Sequence, residues 1–103
     1  MIKFNIKILY MQEKTNKKSP HFINILGQIV KKHREKSRKN VYLISAEASV
    51  PRSTWRDLEF GISNDIKLST FCKIAEGLDI PPNELLKELL ENLGSDFSFT
   101  DLK

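Results

Sequence analysis

Several things that most enzymes and most exported proteins carry are scarce in this 103-residue chain. There is one cysteine, Cys72, so no internal disulfide can form, and a lone thiol on an apolar helical stripe reads as a reduced packing residue. The four glycines are scattered, which leaves no glycine-rich loop to cradle a phosphate. The two histidines, His21 and His33, lie apart, and neither has cysteines or carboxylates at ligand spacing. No serine, cysteine and histidine arrangement suggests a nucleophile with its base. The chain is therefore expected not to be an enzyme, and to hold neither metal nor cofactor. No apolar run approaches the ~20 residues needed to span a bilayer. The opening MIKFNIKILYMQ mixes charged and apolar residues without a continuous apolar stretch and cleavage site, so no secretory signal is expected. These absences point to a cytoplasmic protein.

What is present is a modest apolar fraction and an uneven charge distribution. With 40% hydrophobic residues the chain can build one small core, and its length suits one domain. Residues 1–40 hold 11 Lys and Arg against 2 Asp and Glu, whereas residues 41–103 hold 6 against 11. A basic first part can face a polyanion, while the acidic remainder argues against the whole surface wrapping one.

Taken in order, residues 1–10 alternate apolar and polar like a strand, with no partner strand elsewhere. Residues 1–20 are expected to be a basic extension, unstructured or loosely strand-like. A first helix is expected from about Phe22 to Arg38, with Phe22, Leu26, Ile29, Val30 and His33 as its inner stripe. Asn40 suits the cap of a second helix over Val41–Ala48, whose inner face is Ile44, Ser45 and Ala48. Ser49 breaks that run and Val50 plugs the corner. A third helix over about 51–60 turns Trp55, Leu58 and Glu59 inward and ends at a glycine cap, Gly61. A fourth, Leu68 to Gly77, buries Leu68, Phe71, Cys72, Ala75 and Leu78. A fifth begins at Pro81-Pro82 and runs to Leu93 with a broad leucine stripe, Leu85, Leu86, Leu89, Leu90 and Leu93. Glu84, Glu88 and Glu91 read as its solvated face. The folded domain is thus expected over residues 21–94, with 95–103 as a frayed tail. The short helix, tight turn and second helix over 40–61 match a helix-turn-helix reader, and spacing alone leaves an ordinary helical hairpin equally open.

Residues 26–86 resemble the lambda-repressor-like, Xre/Cro family of helix-turn-helix domains. The resemblance rests on Leu26-Gly27, Ile44-Ser45, Ala48, Val50, Arg52-Ser53, Trp55, Leu58-Glu59 and Gly61, then Ile74-Ala75, Leu78, Ile80 and Glu84-Leu85-Leu86. It implies an all-α, five-helix bundle acting as a dimeric, repressor-like regulator of transcription. It also implies an ion pair between Arg34 and Glu59, and charge balance on the inner face agrees, since an unpaired Glu59 there would be costly. The third helix is then expected in the major groove of double-stranded DNA. Arg52, Ser53, Thr54, Arg56 and Asp57 would face base edges, because an arginine fork can donate to both guanine O6 and N7. Lys39, Asn40 and Lys67, near helix N-termini, would hold phosphates. The Leu89, Leu90 and Leu93 end of the last helix, with Phe97, is expected to form a homodimer.

Some positions depart from the family pattern. Val41 stands where a phosphate-reaching Gln is usual, Ser49 where Gly is, Pro51 where Ser or Thr is, and His33 where an apolar residue is. The loop ISNDIK, with Asp65, replaces a basic one, and phosphate contacts supply much of the affinity for DNA. Two alternatives stay open: an antitoxin that grips a toxin protein through its Phe97 and Phe99 segment, and a protein-interaction module that kept the fold and lost DNA reading.

Overall fold

A computed structural model describes residues 19–101. The strand-like pattern at 1–10 and most of the basic extension lie outside those residues. Among the described residues the chain forms five helices and no strand: α1 (His21–Ser37), α2 (Val41–Ala48), α3 (Arg52–Phe60), α4 (Leu68–Gly77) and α5 (Pro82–Leu93). The all-α class and the order of elements are as expected, with ends shifted by a residue at α1 and α3.

The local chemistry explains the boundaries. Pro20 and Pro51 precede α1 and α3, where a missing N–H costs nothing and the fixed φ suits the entry. Asn40 caps α2 by accepting from the Leu43 N–H at 2.8 Å. Gly61 closes α3 at φ 74°, its N–H reaching the Leu58 carbonyl at 3.2 Å while Ile62 N–H reaches Asp57 at 3.1 Å. The α2–α3 turn instead uses Ser49 at φ 60°, a left-handed position that usually goes to glycine. The next residue, Val50, is buried and donates its N–H to the Ser45 carbonyl at 2.9 Å, which draws the turn tight.

The helices share one core. α1 packs on α3 and α5, α2 on α3 and α4, and α4 on α5. Trp55, Leu58, Ile23, Leu26, Ile44, Ile74, Leu85 and Val30 are its largest fully buried side chains. The buried stripe of α1 includes Ile23, which the sequence reading passed over, while Phe22 and His33 are half-buried at its margin. Leu68 is not inward, being 79% exposed. It extends the spacing of Phe71, Ile74 and Leu78 by one turn, but side chains lean toward the N-terminus of their helix, so a first-turn residue projects past the end of the bundle. The α5 stripe is narrower than expected, with Leu85 and Leu89 buried, Leu93 half-buried, and Leu86 and Leu90 exposed. The tail is not free of the bundle. Phe99 meets Phe22 edge to face with centroids 5.2 Å apart, and Phe97 lies 4.8 Å from Phe99 and 6.0 Å from His21.

Gly27 sets how closely α1 and α3 approach. A Cβ there would fall inside the contact radius of the Leu58 carbonyl oxygen, a backbone atom that cannot swing away. Gly27→Ala is therefore expected to destabilise the domain by about 3 kcal/mol, the upper range for overpacking, measured as a lower urea midpoint at unchanged slope.

Candidate nucleic-acid interface

A single polar network fixes α3 against α1. Arg34 donates from Nε to Glu59 Oε2 at 2.6 Å and from Nη2 to Glu59 Oε1 at 2.9 Å, a bidentate pair. Its Nη1 donates to the Lys39 carbonyl at 2.9 Å, tying in the link between α1 and α2. The Trp55 indole N–H donates to the same Glu59 Oε2 at 2.7 Å. Glu59 is 3% exposed, so these donors replace the water it has lost. The hydrogen bond to Glu59 raises the Arg34 pKa above its ordinary value against the opposing pull of burial, and the charges of Glu59 and Glu35 add to the rise. The structure thus brings Arg34 and Glu59 together. The sequence reading treated Trp55 as packing alone and missed its indole bond.

With the inner face locked, the outer face of α3 is defined. Arg52, Ser53 and Arg56 are exposed, and Thr54 and Asp57 are partly so. The Arg52 guanidinium lies over the Tyr42 ring of α2 at 5.3 Å from its centroid. Arg56 Nε lies 4.0 Å from Asp57 Oδ1, at the outer limit of an ion pair on an open surface. The expected phosphate holders differ in their freedom. Lys39 is engaged with Glu47 at 2.6 Å, and Asn40 has committed its side-chain oxygen to capping α2. Lys67 stands at the N-cap of α4 and is exposed. Phe60, 70% exposed, adds an apolar side chain at the far end of the face.

Glu88 departs from the expected solvated row on α5. It accepts from or pairs with His33 Nε2 at 2.8 Å and is approached by Lys32 at 3.5 Å, so it joins α5 to α1. Among the described residues no group of three or more His, Cys, Asp and Glu is placed to hold a metal ion, and no helix is long and apolar enough to cross a membrane.

No protein-family model matches the chain, and no curated protein aligns with it. A solved structure titled as the SinR protein/SinI protein complex superposes with a TM-score of 0.57, at 24% identity over 69% of each chain. The fold is of the helix-turn-helix type. At that identity the likeness carries the architecture alone.

Two outcomes follow from the pairs. Glu59→Ala strands a partly buried guanidinium and an indole N–H, and is expected to cost about 3 kcal/mol by thermal denaturation followed on Trp55, the sole tryptophan. Glu88 is the second case. Burial pushes its carboxyl up, but the His33 hydrogen bond together with the His33 and Lys32 charges outweighs this, so its pKa is lowered from 4.5. A lowered folded pKa gives stability that is present above the unfolded value and is lost as pH falls through the folded one. The wild-type stability curve is thus expected to decline below about pH 4.5, and Glu88→Gln to flatten that limb in urea titrations across pH.

Proposed function

We propose that this chain is a sequence-specific regulator that binds double-stranded DNA, of the repressor-like kind, and inserts α3 into the major groove. The observation that supports this most is that Arg52 and Arg56 stand exposed on a helix whose opposite face is fixed by the Arg34–Glu59–Trp55 network. A rigid backbone carrying two forked cations suits guanine O6 and N7, with Ser53 and Thr54 beside them for flexible contacts and Asp57 able to accept from cytosine N4. Lys67 and the N–H groups at the starts of α2 and α4 suit phosphates, which fix register without reading sequence. The missing Gln at Val41 and a loop that is not basic lower the phosphate contribution, so base contacts carry a larger share of the affinity. Among the described residues no disulfide or membrane-spanning helix argues against a cytoplasmic setting.

Such a reader works as a symmetric pair over two half-sites about one helical turn apart. A shallow groove where α5 meets the tail, lined by Leu90, Leu93, Phe97 and Phe99 with Lys87 and Glu91 at its edge, is the surface proposed for that homodimer. A Lys and a Glu one turn apart beside an apolar strip can each meet the other's copy across a two-fold axis. The same groove supports a second reading, a protein partner such as a toxin, and the superposed structure is titled as a complex between two proteins.

The test is a titration of a duplex selected from a random pool, at several salt concentrations. Arg52→Ala and Arg56→Ala are each expected to weaken binding by about 1–3 kcal/mol and relax preference at one base pair, with two chains per selected site. A double variant that binds as tightly and as selectively as the wild type would favour the protein-partner reading instead.

A further inference from the structure

The two arginines on the outer face of α3 are not equivalent, and the difference lies in what each already touches. Arg56 has a carboxylate beside it, since Asp57 Oδ1 is 4.0 Å from its Nε. At that distance no hydrogen bond forms, but the carboxylate offsets part of the charge and lies on the side of the in-plane N–H donors that a base edge would need. Arg52 has an aromatic neighbour instead. Its Cζ lies 5.3 Å from the centroid of the Tyr42 ring, over the face, inside the range of a cation–π contact. A ring face leaves the in-plane donors free when it meets the flat side of the guanidinium. In that arrangement the N–H donors point outward along the edge of the plane, and the contact holds the group without consuming a donor or cancelling its charge.

The placement is specific. Arg52 is the first residue of α3 and Tyr42 the second of α2, so the contact joins the leading ends of the two paired helices. Tyr42 is 67% exposed and buries nothing for the core. A large ring left in the open beside the leading arginine has no packing role that would account for it. The adjacent Val41, where a polar phosphate-reaching side chain is usual in the family resembled, packs half-buried against the core and offers no hydrogen bond from its side chain.

We propose that Tyr42 is a positioning residue for Arg52. Its ring face holds the guanidinium at the leading end of α3 with the donor edge open, which makes Arg52 the dominant base reader and lets Tyr42 set selectivity without touching a base. This rests on the DNA-reading assignment above. An exposed arginine otherwise samples many rotamers, and fixing it beforehand lowers the entropy lost on binding.

The experiment has one arm without DNA and one with it. In the free protein, NMR of the Arg52 Hε and Hδ resonances reads the ring current. Upfield shifts are expected in wild type and in Tyr42→Phe, and their absence in Tyr42→Leu; unchanged shifts in Tyr42→Leu overturn the contact whatever the protein binds. In the second arm, a duplex selected by the wild type from a random pool competes with mixed-sequence duplex. Tyr42→Leu is expected to lower the ratio of specific to mixed-sequence binding by about 3- to 30-fold, the spread from an exposed to a desolvated cation–π contact. Tyr42→Phe is expected to stay within about twofold, because the face and not the hydroxyl is used. Equal losses in both variants overturn the proposal in favour of the hydroxyl. If Arg52→Ala costs selectivity and Tyr42→Leu does not, the positioning role falls while DNA reading by α3 stands. If Arg52→Ala costs nothing, both fall together.

Discussion

The structure depends on one carboxylate. Glu59 is almost wholly removed from water on the inner face of α3, and an ion so placed is tolerable only if its oxygens are filled. Arg34 supplies two donors and Trp55 a third. Each donor comes from a fixed direction: Arg34 from α1, and Trp55 from one turn earlier on α3 itself. A third Arg34 donor is spent on the Lys39 carbonyl, where α1 hands over to α2. Three segments are thereby indexed to one point, with an angular precision that apolar packing lacks. Leucines can slide past one another, whereas a bidentate fork cannot rotate without losing bonds.

Close approach complements that indexing. At Gly27 the backbones of α1 and α3 come near enough that only hydrogen fits between them. At Gly77 the same holds for α4 and α2, where an added Cβ would lie 2.6 Å from the Ala48 methyl. The two short helices α2 and α3 are thus pressed between longer neighbours on both sides. Rigidity of α3 follows from its surroundings, because a nine-residue helix is marginal in water by itself.

Much of this was legible in the sequence. Helix ends could be read because each has a local chemical signal: Asn40, Gly61, Pro82 and Gly94 mark theirs in one residue apiece. Inner faces could be read wherever a stripe ran through the middle of a helix. Legibility failed where the deciding partner was remote. Leu68 continues a good stripe, but nothing local tells that the bundle stops short of it. Glu88 sits in a row of acidic residues, and only the fold brings His33 within 2.8 Å. The aromatic tail and the placing of Arg52 over Tyr42 are likewise contacts between segments with no shared periodicity. Arg34 and Glu59 were readable only through a family resemblance, since 25 positions separate them.

The edge-to-face aromatic cluster at the tail has one more implication. Phe22 opens the first helix and Phe99 lies just before the last described residues, yet their rings touch. Ser19, one step further out, hydrogen-bonds the Gly61 carbonyl at 3.0 Å. Entry and exit of the folded unit are therefore side by side, like the two leads of a plug. A unit wired this way can be spliced into a surface loop of a host protein, or joined end to end and reopened elsewhere, with little distortion of either partner.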